Sequence, residues 1–438
     1  MILRDAIHGL VSFEAEEELI IPRLIDTPEV QRLRRIRQLG VASLAFPGAE
    51  HSRFSHAVGA AHVMRALLGR LRAIHGALPY WQQVTTERAR DALAAALLHD
   101  VGHGPLSHLF EDAIEGVAHH EEWTERIVLD PSTGVNRILA AEDPGMPARV
   151  AALVRGEHPL PYLASSVSGT FDVDRCDYLL RDAYNTGVRY GVFDLDWLLR
   201  SLRFAPPASP DAAPELAIDG AKGLPAIEAF LIARLSMFQQ VYLHKATRAA
   251  EWMIRTILAR AARTIGEGTP RPQTPRAVEL AAHHQPIPLA EYLELDDAVL
   301  AVTMHAWEGG SDRPLADLCR RVRGRALFKT LELFGAQATT DGKKRALEIV
   351  RGIAVAAGLD PDVHVGLDVA ADTPFESEGA PWVVFSKGPA RRLSEVSFLL
   401  SRIKDERLER TRLIFAPELR DEITRAIGDE PAFSEGRP

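Results

Sequence analysis

Residues 89–108 read ARDALAAALLHDVGHGPLSH. Every residue from 92 to 98 is alanine or leucine, which predicts a helix that is buried on all sides. The helix is expected to end on His99 and Asp100, because the glycines and proline that follow break it. A histidine and a carboxylate are costly to desolvate at the end of an apolar helix unless something pairs with them. Both are metal ligands, so the pattern indicates a metal site.

Composition describes an ordinary globular protein of 438 residues, with 46% hydrophobic and 25% charged residues. The length allows two or three domains. A net charge of −9 argues against a protein that coats nucleic acid, although local basic patches stay open. Cys176 and Cys319 are the two cysteines, which excludes a disulfide framework and favours a reducing compartment. We find no signal peptide and no apolar run of about 18 residues, so we expect a cytoplasmic protein without a membrane partner.

Histidines are concentrated in one part of the chain. Nine of the sixteen lie within residues 51–120, several of them beside acidic residues. Isolated histidines usually belong to the core, whereas this density favours a metal or acid–base site. The nine are His51, His56, His62, His75, His99, His103, His108, His119 and His120.

Two helix starts are predicted before His56. Thr27 followed by Pro28 is typical of an N-cap and a first helical position, and the helix is predicted to run to Gly40. It carries four arginines, which indicate either a solvated face or a local phosphate site. A second helix is predicted from Ser52, and His56 in its first turns can point towards the buried helix.

A third segment, residues 168–191, interleaves four aspartates with arginines and a tyrosine. If it is helical, Asp174, Tyr178 and Arg181 share one face. One of the aspartates could complete a shell of two histidines and a carboxylate. The paired His119 and His120, next to two glutamates, suit proton transfer.

The rest of the chain changes from helical to mixed character. A short hairpin strand is predicted at 216–220, a long helix at 224–265, a surface loop at 266–288, and further helices up to 329. Strands are predicted at 330–334, 364–369, 382–385 and 412–415, with helices at 342–358 and 394–405 between them. We therefore predict a mainly α fold with three parts: a helical core at 1–265, a helical extension with a surface loop at 266–329, and a small α/β C-terminal lobe at 330–438.

Six motifs occur in order along residues 1–265. The sequence resembles the HD-domain phosphohydrolases, named for the adjacent His-Asp, and among them the deoxynucleoside triphosphate triphosphohydrolases. The C-terminal lobe matches more loosely, and no sterile-alpha-motif domain is present. The motifs are DxIHG, DTPxxQRLRRIRQLG, FPGAxHxRFxHxxG, HDxGHGPxSHxF, HHE and FDVDRxDYLxRD.

The resemblance implies an all-helical HD-domain core that binds one divalent transition metal (Fe, Mn, Zn or Ni), with Mg²⁺ or Mn²⁺ accompanying the nucleotide. The implied metal ligands are His56, His99, Asp100 and Asp174. His120 matches a catalytic histidine, and His108 with Glu111 matches a second acid–base group, although the family usually has aspartate at the position of Glu111. The implied contacts to the α-phosphate are Arg53 and His103. The resemblance also implies a catalytic role for Arg53.

The resemblance also implies a deoxynucleoside triphosphate (dNTP) substrate. Gln38 and Leu39 would meet the deoxyribose, and Tyr178, Asp182 and Tyr242 would enclose it. Arg175 and Arg234 would hold the triphosphate. Phe238 and Leu243 depart from base-facing residues of the family, which leaves base preference open.

An activator site is a further implication. Asp26, Gln31 and Arg34 match residues that read a guanine nucleotide between subunits. This implies activation by (d)GTP or a dNTP and a homo-oligomer, either a dimer or a tetramer. Arg4 departs from the family pattern at this site.

Two alternatives to dNTP hydrolysis remain open. The same metal site could act on another nucleotide or a nucleic-acid end. The chain could instead be a nucleotide-sensing or nucleic-acid-binding oligomer that uses the basic clusters at 320–325 and 343–345, although such clusters are more often solvated faces.

Overall fold

The computed structural model describes residues 1–206, 212–269, 271–373, 375–377 and 379–429. It is mainly helical, as predicted. The α-helices are α1 Ile20–Ile25, α2 Pro28–Arg32, α3 Arg53–Ile74, α4 Thr86–Leu98, α5 His108–Ala113, α6 His120–Leu129, α7 Gly134–Glu142, α8 Met146–Val154, α9 Pro161–Val167, α10 Val173–Thr186, α11 Leu195–Arg200, α12 Leu224–Met237, α13 Lys245–Gly266, α14 Arg276–Ala282, α15 Leu289–Leu293, α16 Asp297–Trp307, α17 Arg313–Arg323, α18 Thr340–Ala356, α19 Pro361–His364, α20 Leu393–Val396, α21 Leu400–Ile403 and α22 Arg420–Asp429.

Three small sheets accompany the helices in the described part of the chain. The first is a hairpin of β1 and β2, the second has the order β3-β4-β7, and the third has the order β5-β8-β6. In the third sheet both neighbours of β8 run antiparallel to it. The strands are β1 Ile2–Asp5, β2 Gly9–Ser12, β3 Leu202–Phe204, β4 Leu216–Asp219, β5 Lys329–Leu333, β6 Val365–Asp372, β7 Trp382–Val384 and β8 Leu408–Phe415.

Helix α4 is the centre of the larger hydrophobic core, as its composition predicts. Its residues 92–98 are at most 1% exposed. It packs against α3 and α8, and α3 packs in turn against α10. Alanines on several faces of α4 let these helices approach closely, so the ends of α3, α4 and α10 meet at one place. No helix in the described ranges is long and apolar enough to cross a membrane.

The arginine-rich helix is shorter than predicted. Thr27 caps it by accepting a hydrogen bond from the backbone N–H of Val30, and Pro28 occupies the first turn, both as predicted. The α-helix ends at Arg32 and continues as a 3₁₀ turn only to Arg35. The chain then extends because Arg37 forms a β-bridge with Ser52, an interaction with no local sequence signal.

The prediction of a surface loop at 266–288 is wrong for residues 276–282. Residues 276–282 form α14, and Ala277, Val278 and Ala281 are buried against α13. Pro275 is the N-cap residue of this helix, so this proline lies at a helix boundary and not within a loop.

The C-terminal strands form as predicted, but they belong to two different sheets. Strand β7 pairs in parallel with β4, and Val383 lies in the larger core together with Leu393 and Leu400. Strands β5, β6 and β8 form a separate sheet that α18 covers. The predicted helix at 394–405 is two short helices, α20 and α21. The domain boundaries at 265 and 329 stay predictions.

Gly366 provides a test of the packing between β6 and α13. A Cβ at this position would lie 2.3 Å from the ring of Trp252. We expect Gly366→Ala to lower the free energy of unfolding by about 1–3 kcal/mol, since overpacking forces neighbours to shift. Gly352→Ala is the control, because nothing lies within 4 Å of its Cβ position in α18. The control should raise stability by about 0.5–1 kcal/mol. Urea unfolding measures both, and equal effects would contradict the packing.

Candidate metal centre and active-site cavity

Three predicted ligands meet where α3, α4 and α10 converge. The Nε2 atom of His56 lies 3.2 Å from Nε2 of His99 and 3.0 Å from Oδ1 of Asp174. The distance from His99 Nε2 to Asp174 Oδ1 is 3.5 Å. Residues far apart in the chain thus offer two imidazole nitrogens and a carboxylate oxygen to one point, which is a donor set for a divalent cation.

Asp100, the fourth predicted ligand, lies beside this group. Its carboxylate oxygens are 3.6 Å from His56 Nε2 and 3.5 Å from His99 Nε2. It also accepts a hydrogen bond from Arg53 Nη1 and one of 3.2 Å from His103 Nε2. The structure therefore brings all four predicted ligands together, and Arg53 and His103 touch the carboxylate of one of them.

The opposite nitrogen of each imidazole ligand is held by an acceptor. His56 Nδ1 donates to Asp177 at 2.8 Å, and His99 Nδ1 donates to the backbone carbonyl of Ala96 at 2.9 Å. These bonds fix the ring orientations and would leave both Nε2 atoms as electron-pair donors when a metal is bound. Metal-binding histidines in proteins are typically held in this way. The donor set and its support therefore fit a divalent metal.

Asp177 is the centre of a buried network that sequence analysis did not assign. Its carboxylate accepts hydrogen bonds from His8 at 2.7 Å and from Arg181, which also pairs with Asp5. Asp5 and His8 belong to the DxIHG motif. This motif therefore stabilises the network around Asp177, which in turn holds His56. Gly59 on α3 makes room for this network, because a Cβ there would lie 2.0 Å from Asp177 Oδ1.

Electrostatics of the centre favour a positive charge. Complete burial alone would lower the pKa of His56, but the carboxylates of Asp174 and Asp177 outweigh it and raise the pKa to about 10. Burial likewise opposes the ionisation of Asp174, yet hydrogen bonds from His56 and His99 hold its pKa well below the usual range. In the metal-free protein a proton on His56 therefore supplies part of the positive charge that a metal would supply.

A second group of histidines lies next to the metal centre. The rings of His103 and His120 stack at 3.8 Å, and His108 lies edge-on to both. Glu111 contacts Nδ1 of His108 at 2.7 Å and Nδ1 of His120 at 3.1 Å. Although burial opposes it, these histidines lower the pKa of Glu111, which therefore stays ionised. A glutamate accordingly connects the two predicted acid–base histidines.

A cavity of about 890 Å³ opens beside these histidines. The predicted sugar contacts all line it, as do Arg53 and His108; those contacts are Gln38, Leu39, Tyr178, Asp182 and Tyr242. Asp182 accepts hydrogen bonds from Tyr242 Oη at 2.7 Å and from His51 Nε2 at 2.8 Å. Tyr242 reaches this position because a π-helical turn, residues 238–242, interrupts the predicted long helix between α12 and α13.

Comparison with known families matches most of the chain. The HD domain matches residues 53–182, and the HD associated region matches residues 193–270 and 273–430. The chain belongs to the HD-domain phosphohydrolase family. The adjacent His99 and Asp100 are the pair for which the domain is named.

The chain is also similar to individual proteins of other organisms. Protein YwfO of Bacillus subtilis is 33% identical over 95% of this chain and 92% of its own length. The deoxynucleoside triphosphate triphosphohydrolase SAMHD1 homologue of Dictyostelium discoideum is 28% identical over 58% of this chain, and the match spans 48% of that protein. A crystal structure of a phosphohydrolase from Bacteroides thetaiotaomicron superposes with a TM-score of 0.79, at 27% identity, over 95% of this chain and 99% of the other.

Two predicted triphosphate contacts lie outside the cavity lining of this HD-domain protein. Arg175 donates to the carboxylate of Asp172 and to the carbonyl of Gly169. Arg234 lies 3.6 Å from Asp372 at the end of β6. Both arginines would have to change partners to reach a ligand in the cavity, so their role stays a prediction.

The predicted activator residues lie on the surface, away from the cavity lining. Arg34 donates to Gln31 at 2.8 Å and stacks on the ring of Phe54, while Asp26 is exposed at the end of α1. Phe54 is the sequence neighbour of Arg53, which lines the cavity, so Arg53 and Phe54 connect this surface to the cavity wall. The activator role stays a prediction.

One wall of the cavity was missed by sequence analysis. It is formed by α13 and β6 of the HD associated region, with Asp112 of α5 at its edge. A helical pattern of mixed polar and apolar residues gives no sign that its polar face meets a cavity, because that depends on how α13 packs against β6. The lining residues are Thr247, Arg248, Glu251, Arg255 and residues 369–371.

Asp177→Asn tests the support of the metal centre. The amide keeps the shape but removes the charge that holds His56, so we expect metal affinity to fall by about 10- to 100-fold. Equilibrium dialysis with Mn²⁺ measures the affinity, and circular dichroism checks the fold. Asp196→Asn, at an exposed position on α11, is the control and should bind like the wild type. An unchanged affinity in Asp177→Asn would contradict this role.

The raised pKa of His56 predicts opposite pH responses with and without metal. In the metal-free protein, protonated His56 stabilises the folded state. This stabilisation is complete below about pH 6.5 and is lost as the pH rises towards about 10. Metal must displace the proton, so Mn²⁺ affinity should rise by up to about tenfold per pH unit over this range. Melting temperatures with EDTA and with Mn²⁺ test the two trends. Calorimetry that detects no proton release on binding near neutral pH would contradict them.

Proposed function

We propose that this HD-domain protein is a metal-dependent dNTP triphosphohydrolase, which converts a dNTP into a deoxynucleoside and triphosphate. One observation carries the proposal. The convergence of His56, His99 and Asp174 lies beside a cavity whose wall holds the groups that would contact a deoxyribose. The cavity of about 890 Å³ is within the size range of sites that enclose a small ligand.

The phosphate end of the cavity has the groups that the reaction needs. A bound divalent metal would polarise water and the phosphate that the water attacks. Arg53, 5% exposed and in contact with Asp100, can hold the oxygens of the α-phosphate while remaining near the metal ligands. His103 lies on the other side of Asp100 and can assist in the same contact.

Proton transfer to the leaving 5′-oxygen is assigned to His108 or His120. Glu111 accepts from Nδ1 of both rings, which leaves their Nε2 atoms available to exchange a proton. The carboxylate behind each imidazole would hold the ring in a fixed orientation for this proton transfer. His108, whose side chain is 60% exposed, can reach the cavity that it lines.

The proposed sugar end of the cavity has one polar atom without a hydrogen-bond partner among the described residues. Gln38 Oε1 is buried in the cavity wall and has no hydrogen-bond partner among the described residues. A sugar 3′-hydroxyl would satisfy it. The hydrogen bond between Tyr242 and Asp182 holds the tyrosine ring against the same space, which would exclude a 2′-hydroxyl.

Relatives support the substrate class. The Dictyostelium relative is named a deoxynucleoside triphosphate triphosphohydrolase, and its match with this chain spans 58% of the chain. That relative extends well beyond the match, so its activity as a whole protein is carried over here as a proposal. Activation through Asp26, Gln31 and Arg34, and assembly into a dimer or tetramer, stay predictions of the resemblance.

Product analysis tests the proposal. Purified protein with Mn²⁺ is incubated with each dNTP and each ribonucleotide, and the products are separated by ion-exchange chromatography. We expect deoxynucleoside and intact triphosphate, little turnover of ribonucleotides, and a loss of at least about 10³-fold in Asp174→Asn, since a ligand carboxylate is removed. Glu122→Gln, exposed on α6, is the control. Release of pyrophosphate or inorganic phosphate, or faster turnover of ribonucleotides, would contradict the proposal.

A further inference from the structure

Part of the cavity is lined by polar groups to which the proposed reaction gives no role. We call this part the α13 chamber. It is enclosed by one helical face of the HD associated region, by α5 and by β6. Its residues are Asp112, Thr247, Arg248, Glu251, Arg255 and residues 369–371.

The α13 chamber continues the cavity beyond the proposed sugar contacts. Thr247 follows Tyr242 by five residues, at the start of α13, and Gly40 and Ala42 line the wall next to Gln38 and Leu39. The lining therefore passes from the sugar contacts to the chamber along both chain segments. A nucleotide whose sugar lies against Gln38 and Tyr242 would extend its base in this direction.

Glu251 offers an acceptor to the chamber. Its Oε2 accepts a hydrogen bond of 2.7 Å from Arg248, whose guanidinium also pairs with Asp368 of β6. Its Oε1 accepts no hydrogen bond from the described residues. Arg248 is thus held by Glu251 and Asp368, and it fixes the position of the Glu251 carboxylate. This carboxylate can still accept further hydrogen bonds through its remaining lone pairs.

Thr247 gives an independent sign of a ligand. It is 3% exposed, and its Oγ1 has no hydrogen-bond partner among the described residues. A buried hydroxyl without a partner costs free energy, so such groups are normally satisfied by protein, water or ligand. Arg255 Nε, in the same wall, likewise has no partner there.

The chemistry of these groups matches one base better than the others. Guanine alone presents two neighbouring N–H donors, N1–H and the 2-amino group, which one carboxylate can accept together. Its O6 and N7 are acceptors suited to a hydroxyl or an arginine. Resting on the proposed function, we propose that the α13 chamber is the base subsite and that Glu251, with Thr247, selects guanine.

Binding of 2′-deoxynucleosides tests this selection without hydrolysis, since these compounds carry no phosphate. Calorimetry or competition measures the four deoxynucleosides with wild type, Glu251→Gln and the exposed control Glu348→Gln. We expect deoxyguanosine to bind at least about tenfold more tightly than the others, and Glu251→Gln to remove that preference, because one bidentate pair is worth about that factor. Equal affinities for the four, or an equal loss for all in Glu251→Gln, would overturn the proposal.

Thr247→Val separates a ligand contact from a structural role. Removing an unpartnered buried hydroxyl should raise the melting temperature of the ligand-free protein. If the hydroxyl also contacts guanine, deoxyguanosine affinity should fall by about three- to tenfold while that of the other deoxynucleosides stays the same. A raised melting temperature with unchanged deoxyguanosine affinity would overturn the role of Thr247.

Hydrolysis assays distinguish failure of this inference from failure of the proposed function. If dNTPs are hydrolysed to triphosphate with equal kcat/KM and Glu251→Gln affects them equally, the base assignment is wrong and the function stands. If no dNTP is hydrolysed but deoxyguanosine binding depends on Glu251, the subsite stands and the function is wrong. A preference for deoxycytidine that depends on Glu251 would overturn the guanine assignment.

Discussion

The burial of charge around α4 is the constraint on which this structure depends. His56, Asp100 and Asp177 are each at most 6% exposed, and none could be ionised there without a partner. The fold meets this requirement with Arg53 on one side, with Arg181 on the other, and with a position between the imidazoles that suits a cation. Because the supporting groups come from β1, α3 and α10, the same contacts that hold the charges also hold these elements together.

The two matched regions of the family contribute different parts of the cavity. The HD domain supplies the predicted metal ligands and the histidines that Glu111 connects, all within residues 53–182. The HD associated region supplies Tyr242, α13 and the edge of β6. The groups proposed for the chemistry thus lie in the HD domain, whereas the proposed recognition wall draws on both regions, because Tyr178 and Asp182 belong to the HD domain and Tyr242 and α13 belong to the associated region.

How much of this could be predicted from sequence depended on whether the signal was local. The alanine-rich α4 and the cap at Thr27 follow from short-range patterns, and the four predicted ligands, which the structure brings together, were chosen because their motifs resemble a family. The β-bridge from Arg37 to Ser52 and the burial of α14 depend on tertiary packing, so the helix end and the loop were mispredicted. The polar face of α13 was missed for the same reason, since an exposed face and a cavity wall have the same sequence pattern.

The parallel pairing of β4 with β7 has a consequence for how the chain is made. Strand β4 ends at Asp219, and its partner lies more than a hundred and fifty residues later, at Trp382–Val384. During synthesis, β4 therefore has an unpaired edge and the larger core is incomplete until most of the polypeptide has emerged from the ribosome. A nascent chain stalled before β7 would expose that edge to pairing with strands of other proteins.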